Sequence, residues 1–497
     1  VTFTITSAIA CLIAAAQPEP RALRAAVIVG VNEPFEGSQA GLHYADDDAA
    51  RFWELLRPSL DEIELLTILD AESQKLFPEA AKIARPPDHE NLVEALERTF
   101  RSAKAAKEAG RRAELYFIYT GHGRVMGGEG EVKLAGGSLT RTELTERVLK
   151  SKAHDRMHVI IDACNAYHLV NARGPETAAV TAQFDSAFER FVEEQSIDRF
   201  PTVGVVLSTS GAGATHEWSR FQGGVFSHEV RSALSGAADA DQDGRVDYPE
   251  VEAFIASANL AVPELKGKPK VFVRAPPIDR GAELSRARDE VARVELPESF
   301  VGHYWLEDDR GLRYAELNKA EGYRVSIALV PRAQYALVRN DGAEVARFGG
   351  EGGVVVLPLE PSRPVPRRAR GDKDADDLHI FEEPFGPRFA EGYRARLDAQ
   401  PDPLARLRVP EEEPLISPTT LGGFAAGGVA VAALAGGIIS ARNASDNYEI
   451  YRTTFFADVR DSAGRDVERD RKLAIGFYAS AGVAALASAL LFVLGTE

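Results

Sequence analysis

Three short runs hold residue types that can do chemistry. Thr120-Gly121-His122-Gly123 follows the apolar run ELYFIY (114–119), and Asp162-Ala163-Cys164 closes the apolar run HVIID (158–162). Two such runs paired as parallel strands put His122 and Cys164 just past their C-terminal ends, the edge where open α/β sheets place their sites. A thiol and an imidazole meeting there form a nucleophile–base pair. The glycines flanking His122 leave backbone N–H groups uncovered, which suits an oxyanion hole beside an attacked carbonyl. On periodicity alone a turn histidine and a buried thiol fit equally well. Other histidines compete poorly: His158 is about 20 Å from Cys164 along an extended chain, and His168 follows it too closely to face it. The third run is Asp239 to Glu250. Asp239, Asp241, Asp243, Asp247 and Glu250 stand at positions 1, 3, 5, 9 and 12, with Gly244 sixth and Arg245 seventh, contributing a backbone carbonyl. Hard oxygen ligands at that spacing suit Ca²⁺. The alternative is an acidic turn with no ion, in which carboxylates this close repel one another.

The surrounding pattern supplies the elements that must position these residues. Apolar runs at 25–31, 63–69, 114–119, 158–162 and 202–208 alternate with helical spacing at 44–56, 90–110, 140–151 and 225–236. Alternation of this kind predicts an α/β body over 22–278, a mostly parallel sheet sandwiched by helices. The loop 239–250 lies inside it. A long, partly helical connection (169–200) separates the fourth and fifth strands. Short alternating runs predict a small β-rich domain over 295–360. A Pro- and charge-rich linker with an amphipathic helix at 381–397 fills 361–420. Asp46-Asp47-Asp48 reads as an acidic cluster at a helix start, favoured by the helix dipole.

Composition narrows the class. The 497 residues allow two to four domains, and 45% hydrophobic with 27% charged residues is ordinary for a folded body. A net charge of -17 without a run of five basic residues argues against nucleic acid as a partner. The apolar start VTFTITSAIACLIAAA predicts a signal peptide over 1–16. Its removal takes Cys11 and leaves Cys164 as the one thiol. Residues 421–440 and 473–495 carry no charge and are long enough to span a bilayer. Gly423 and Gly427 would let two such helices pack closely. They predict a transmembrane hairpin, the alternative being two buried Ala/Gly-rich helices. The loop 441–472 carries seven Lys/Arg against two in 401–420, so the loop is expected in the cytoplasm and the catalytic body outside.

The arrangement Tyr119-Thr120-Gly121-His122-Gly123 after one strand and Asp162-Ala163-Cys164 after the next resembles the caspase/metacaspase cysteine peptidases. So do AAVIVGVN, LHYADDDAARFWELL and LSTSGAGATHEWSRFQGGVFSHEV (207–230), and the likeness covers about half the chain. It implies a caspase-like fold, with His122 as general base, Cys164 as nucleophile, and Gly123 and Cys164 supplying oxyanion N–H groups. It also implies substrate-binding roles for Asp162 and Glu217. Asp162 stands two residues before Cys164 on one strand face, so both can border one pocket. A carboxylate there favours a basic substrate side chain, Arg over Lys. The rivals are that Asp162 orders its loop by accepting N–H bonds and that Glu217 anchors a loop. One departure stands out: metacaspases commonly continue Cys-His-Ser-Gly, where this chain reads Cys164-Asn165-Ala166-Tyr167. The missing glycine leaves the pocket shape open. Residues 239–250 resemble an EF-hand loop. The resulting expectation is a Ca²⁺-binding, membrane-anchored endopeptidase acting on peptides or proteins outside a bacterial cytoplasmic membrane. The alternative is a catalytically silent scaffold of the same fold that recruits partners through its β-rich domain.

Overall fold

The computed structural model describes residues 21–36, 41–126, 129–163, 197–198, 200–208, 217–262, 271–286, 291–350, 352–358, 365–366, 379–399, 454–455 and 466–475. Its centre is a six-stranded sheet. The strands are β1 (Leu23–Val31), β2 (Glu62–Thr67), β3 (Ala113–Gly121), β4 (Arg156–Asp162), β5 (Val203–Ser208) and β6 (Val271–Arg274), in the order β6-β5-β4-β3-β1-β2. All neighbours are parallel except β6, which runs antiparallel to β5. The strands read as near-continuous apolar runs because both faces are covered. Alternate residues serve each side. Ala26, Ile28, Tyr116, Ile118, Ile160 and Val206 join one core cluster, while Val27, Val29, Phe117, Val159, Ile161 and Val205 join the other.

Four helices position the strand ends. On one face lie α1 (Ala45–Leu56), α3 (Val225–Ser232) and α4 (Tyr248–Ala258); on the other lies α2 (His89–Glu108). Asp88 caps α2, its side chain accepting the Asn91 N–H at 2.8 Å. The helix expected over 140–151 is shorter: Thr140 and Glu143 form a capping box on Arg141–Leu144, and a wide turn follows in which Lys150 N–H reaches the Thr145 carbonyl. The helix expected over 225–236 also ends in a wide turn, Ala233–Ala237, because Gly236 turns out of helical geometry at φ 113°.

The β-rich part comprises β7 (Arg293–Leu296), β8 (Gly302–Asp308), β9 (Arg313–Lys319), β10 (Val325–Ala328), β11 (Tyr335–Arg339), β12 (Ala343–Phe348) and β13 (Val354–Val356). They form a three-stranded sheet, β10-β7-β13, and a larger one running β9-β8-β11-β12, to whose β12 edge the short strand Val365–Pro366 adds. Val294, Leu306, Leu317 and Ile327 share one core cluster with Phe226, Val230 and Phe254 of α3 and α4. The β-rich layer therefore packs on the helices of the α/β body. The amphipathic segment begins as a helix only at Pro387, giving α5 (Pro387–Ala399). Pro384 and Pro387 exclude an earlier start, and Phe381 and Phe385 pack as a buried turn instead.

Among the described residues no helix is long and apolar enough to cross a membrane. The expected signal peptide and the span 421–440 lie outside the described residues, as do most of 473–495, of the connection 169–200 and of the linker 361–378.

Candidate active site

β1, β3 and β4 end in register: Gly30 pairs with Thr120, and Thr120 with Asp162. His122 and the chain leaving Asp162 towards Cys164 therefore emerge side by side. Cys164 itself lies outside the described residues. The backbone at His122 is held from several directions. The Tyr119 hydroxyl donates to the carbonyls of Lys133 at 2.8 Å and His122 at 3.1 Å. Lys133 N–H donates to the His122 carbonyl at 3.0 Å. Thr120 Oγ1 donates to the Ala45 carbonyl at 2.7 Å, tying β3 to the start of α1. Gly121 is needed for this closeness, since a Cβ there would lie 2.6 Å from the Tyr119 hydroxyl and 2.9 Å from the Val31 carbonyl. The His122 side chain is 3% exposed. Gly123 is buried and opens a strand, Gly123–Met126, in which it pairs with Val132.

An acidic pair lies beside this edge. Asp162 Oδ2 accepts from the Ser227 N–H at 3.1 Å and the Ser227 hydroxyl at 2.6 Å. Asp48 Oδ1 accepts from Arg231 Nη1 at 2.7 Å, and its Oδ2 from the Gly224 N–H at 2.7 Å. Bare backbone crosses both carboxylates. A Cβ on Gly224 would stand 2.6 Å from Asp162 Oδ2 and 3.1 Å from Asp48 Oδ2, and one on Gly223 would stand 2.5 Å from Asp48 Oδ1. Burial pushes the Asp162 carboxyl up to about 7; the Ser227 hydroxyl opposes this and the Asp48 charge adds to it. Arg231 is the cation beside this pair, and its charge partly offsets the rise at Asp162. Ser227 occupies one Asp162 oxygen, so loop ordering is part of what this residue does. Glu217 accepts the backbone N–H groups of His43 and Tyr44 at 2.8 Å each, the contacts of a loop anchor, and burial raises its carboxyl.

Asp48, Arg231, Ser227 and the Gly223–Gly224 pair are site residues the sequence did not single out. The acidic cluster 46–48 does open α1, but all three side chains are buried. Asp46 is bridged to Asn32, whose Nδ2 donates to it at 2.7 Å. His158 is settled elsewhere. It lies stacked between Tyr116 and Tyr248, hydrogen-bonded to the Tyr248 hydroxyl at 2.7 Å and to Glu114 at 3.2 Å.

The acidic loop sits between the wide turn after α3 and the start of α4. Carboxylate oxygens of Asp239, Asp241 and Asp243 lie within 4.8 Å of one another. Backbone N–H groups also hold them: Gly244 donates to Asp239 at 3.0 Å, Asp243 to Asp241 at 3.2 Å, and Arg245 to Asp243 at 2.8 Å. Asp247 and Glu250 form the capping box of α4, with Pro249 in its first turn. Glu250 also accepts the Ala240 N–H at 3.0 Å, folding the twelfth position back onto the start of the loop. Arg245 and Asp247 lie on a short strand paired with Glu283–Arg286. Burial raises Asp239 to about 6 and Glu250 to about 8, and neighbouring carboxylates add to both shifts. A divalent cation would relieve that repulsion. The structure thus gathers the first three candidate ligands, while Asp247 and Glu250 serve the helix cap.

No protein-family model and no curated protein matches the chain. Among solved structures, the crystal structure of a protein from Geobacter sulfurreducens is similar over 54% of this chain and 100% of its own, at 16% identity and a TM-score of 0.30. A score that low carries no argument about fold or function.

Proposed function

We propose that the chain is a caspase-like cysteine endopeptidase that attacks peptide carbonyls through Cys164, with His122 as general base, and prefers Arg, then Lys, before the cut bond. The observation that supports it best is the register of β3 and β4. It brings the residue before Gly121-His122 level with Asp162, two residues short of Cys164. A thiol with an ordinary value near 8.5 is mostly protonated at neutral pH, so a base at this edge is what the chemistry requires. In this reading Gly123 and Cys164 offer N–H groups to the oxyanion. Asp162 receives the substrate guanidinium beside Gly223–Gly224, Arg231 already holding Asp48, and Glu217 fixes the loop at His43–Tyr44. Ca²⁺ would be held by Asp239, Asp241 and Asp243, with Arg245, Asp247 and Glu250 completing the shell; there it would brace the start of α4. The segments 421–440 and 473–495 would anchor the protein in a bacterial cytoplasmic membrane, with the peptidase outside.

The near-complete burial of His122 favours a second reading, a silent Ca²⁺-binding scaffold. An Arg-directed acyloxymethyl ketone peptide separates the two. Peptidase chemistry predicts stoichiometric labelling at Cys164, lost in His122→Ala. A wild-type protein that stays unlabelled while remaining folded supports the scaffold.

A further inference from the structure

Arginines converge where α1 and α3 meet the β-rich layer. A cavity of about 20 Å³ there is walled by Arg51, Arg231, Arg310 and Arg313, with Glu54 and Asp308 beside them. Most of these charges are matched. Arg231 pairs with Asp48 at 2.7 Å, Arg313 with Glu316 at 2.8 Å, and Arg310 with Glu54 at 2.9 Å and Asp308 at 2.6 Å. Arg332 shares Glu54. That makes five guanidinium groups against four carboxylates, and Arg51 forms no salt bridge among the described residues.

Arg51 is nevertheless deeply buried, 6% exposed, and Arg231 is 3% exposed. Arg51 Nη1 donates to the Phe221 carbonyl at 2.7 Å. Its Nε and Nη2, and Nη2 of Arg231, are buried without a hydrogen-bond partner among the described residues. Burial, then the charge of Arg231, pushes the Arg51 guanidinium down to about 10. Asp47, the remaining nearby acid, is raised by burial, makes no salt bridge to Arg51 among the described residues, and has its own Oδ1 buried without a partner. Buried charged donors left without acceptors are expensive.

We propose that this cavity is a binding site for one halide ion, chloride in the cell, held by the free N–H groups of Arg51 and Arg231. The cavity has room for one small guest. A water molecule would also accept these donors, turning its protons to the Glu54 and Asp308 carboxylates that line the same cavity, whereas only a halide also offsets the charge of Arg51. Sulfate and phosphate, with four oxygens each, are too large. The site touches the acidic pocket through one side chain, because Arg231 also holds the Asp48 carboxylate that fixes Gly224. It stands whether or not the chain is a peptidase.

The test compares melting of the full chain in sodium chloride, sodium bromide and sodium gluconate at constant ionic strength. Both halides should raise the melting temperature saturably, by about 3 °C at about 100 mM, while gluconate should not. Arg51→Met, which removes the surplus cation, should abolish the difference. Should that variant fail to fold, crystals of the wild-type chain soaked in bromide decide the matter, with an anomalous peak expected between Arg51 and Arg231. Equal melting in chloride and gluconate, or a cavity with no anomalous peak, overturns the site.

Discussion

Replacing Asp48 by Ala removes the acceptor of two hydrogen bonds at once, Arg231 Nη1 at 2.7 Å and Gly224 N–H at 2.7 Å. Both charged side chains are almost wholly buried, at 3% and 4% exposure. Breaking a buried pair by deleting one partner typically costs about 3–5 kcal/mol, because the surviving charge is left in a poor solvent. An orphaned buried N–H costs about 1–3 kcal/mol more. Asp48→Ala should therefore lose about 4–8 kcal/mol, a large part of a typical domain stability of about 5–15 kcal/mol. Asp48→Asn, which keeps a neutral acceptor, should lose less. Adding Arg231→Met to Asp48→Ala removes the stranded cation and should restore about 2 kcal/mol. Urea unfolding of wild type, Asp48→Ala, Arg231→Met and the double variant at fixed chloride concentration closes the cycle, with Asp48→Asn measured beside them. A loss below about 1 kcal/mol for Asp48→Ala, or a double variant no better than the single, would refute the view that this pair clamps α1 to α3.

Three further outcomes follow from the same geometry. Gly224→Ala puts a methyl 2.6 Å from Asp162 Oδ2, so KM for Arg peptides should rise at least about tenfold with a smaller change in kcat; an unchanged KM contradicts the pocket. His154 is buried with neither ring nitrogen partnered among the described residues, and burial, then the charge of Lys107, lowers it from 6.5 to about 4. Its contribution to stability is fully present above about pH 6.5 and is lost as pH falls towards 4, about 2 kcal/mol between pH 7.5 and 5. His154→Leu should flatten that part of the pH–stability curve, and a curve unchanged by the substitution counts against it. Ca²⁺ should raise the wild-type melting temperature, by about 2.7 kcal/mol of stability at a hundredfold excess over Kd. Asp239→Asn with Glu250→Gln should abolish the rise, and a wild-type protein indifferent to millimolar Ca²⁺ argues against the loop as a cation site.

Strands β1 to β5 and helices α1 and α2 were legible to within two residues at most ends, because strands buried on both faces appear as short apolar runs. The wide turns after Leu144 and Ser232 were not, since a hydrogen-bond shift within a helical pattern leaves hydrophobic spacing almost unchanged. The candidate base and nucleophile could be found because each follows its own strand directly. Asp48 and Arg231 could not be paired, being 183 residues apart. The acids at 46–48 read as a helix-start cluster favoured by the dipole, and only tertiary packing turns one of them into an arginine clamp. Glu250 shows the converse: a ligand spacing and a capping box are the same residues, and the sequence displays both at once.

Cleavage of matched peptides ending in Arg, Lys or Asp before the scissile bond, by wild type, Cys164→Ala and His122→Ala, tests the central claim most directly. The account predicts wild-type kcat/KM in the order Arg, Lys, with Asp undetectable, and no turnover by either variant while both stay folded. Cleavage by Cys164→Ala above a tenth of the wild-type rate, or best cleavage of the Asp peptide, would contradict it.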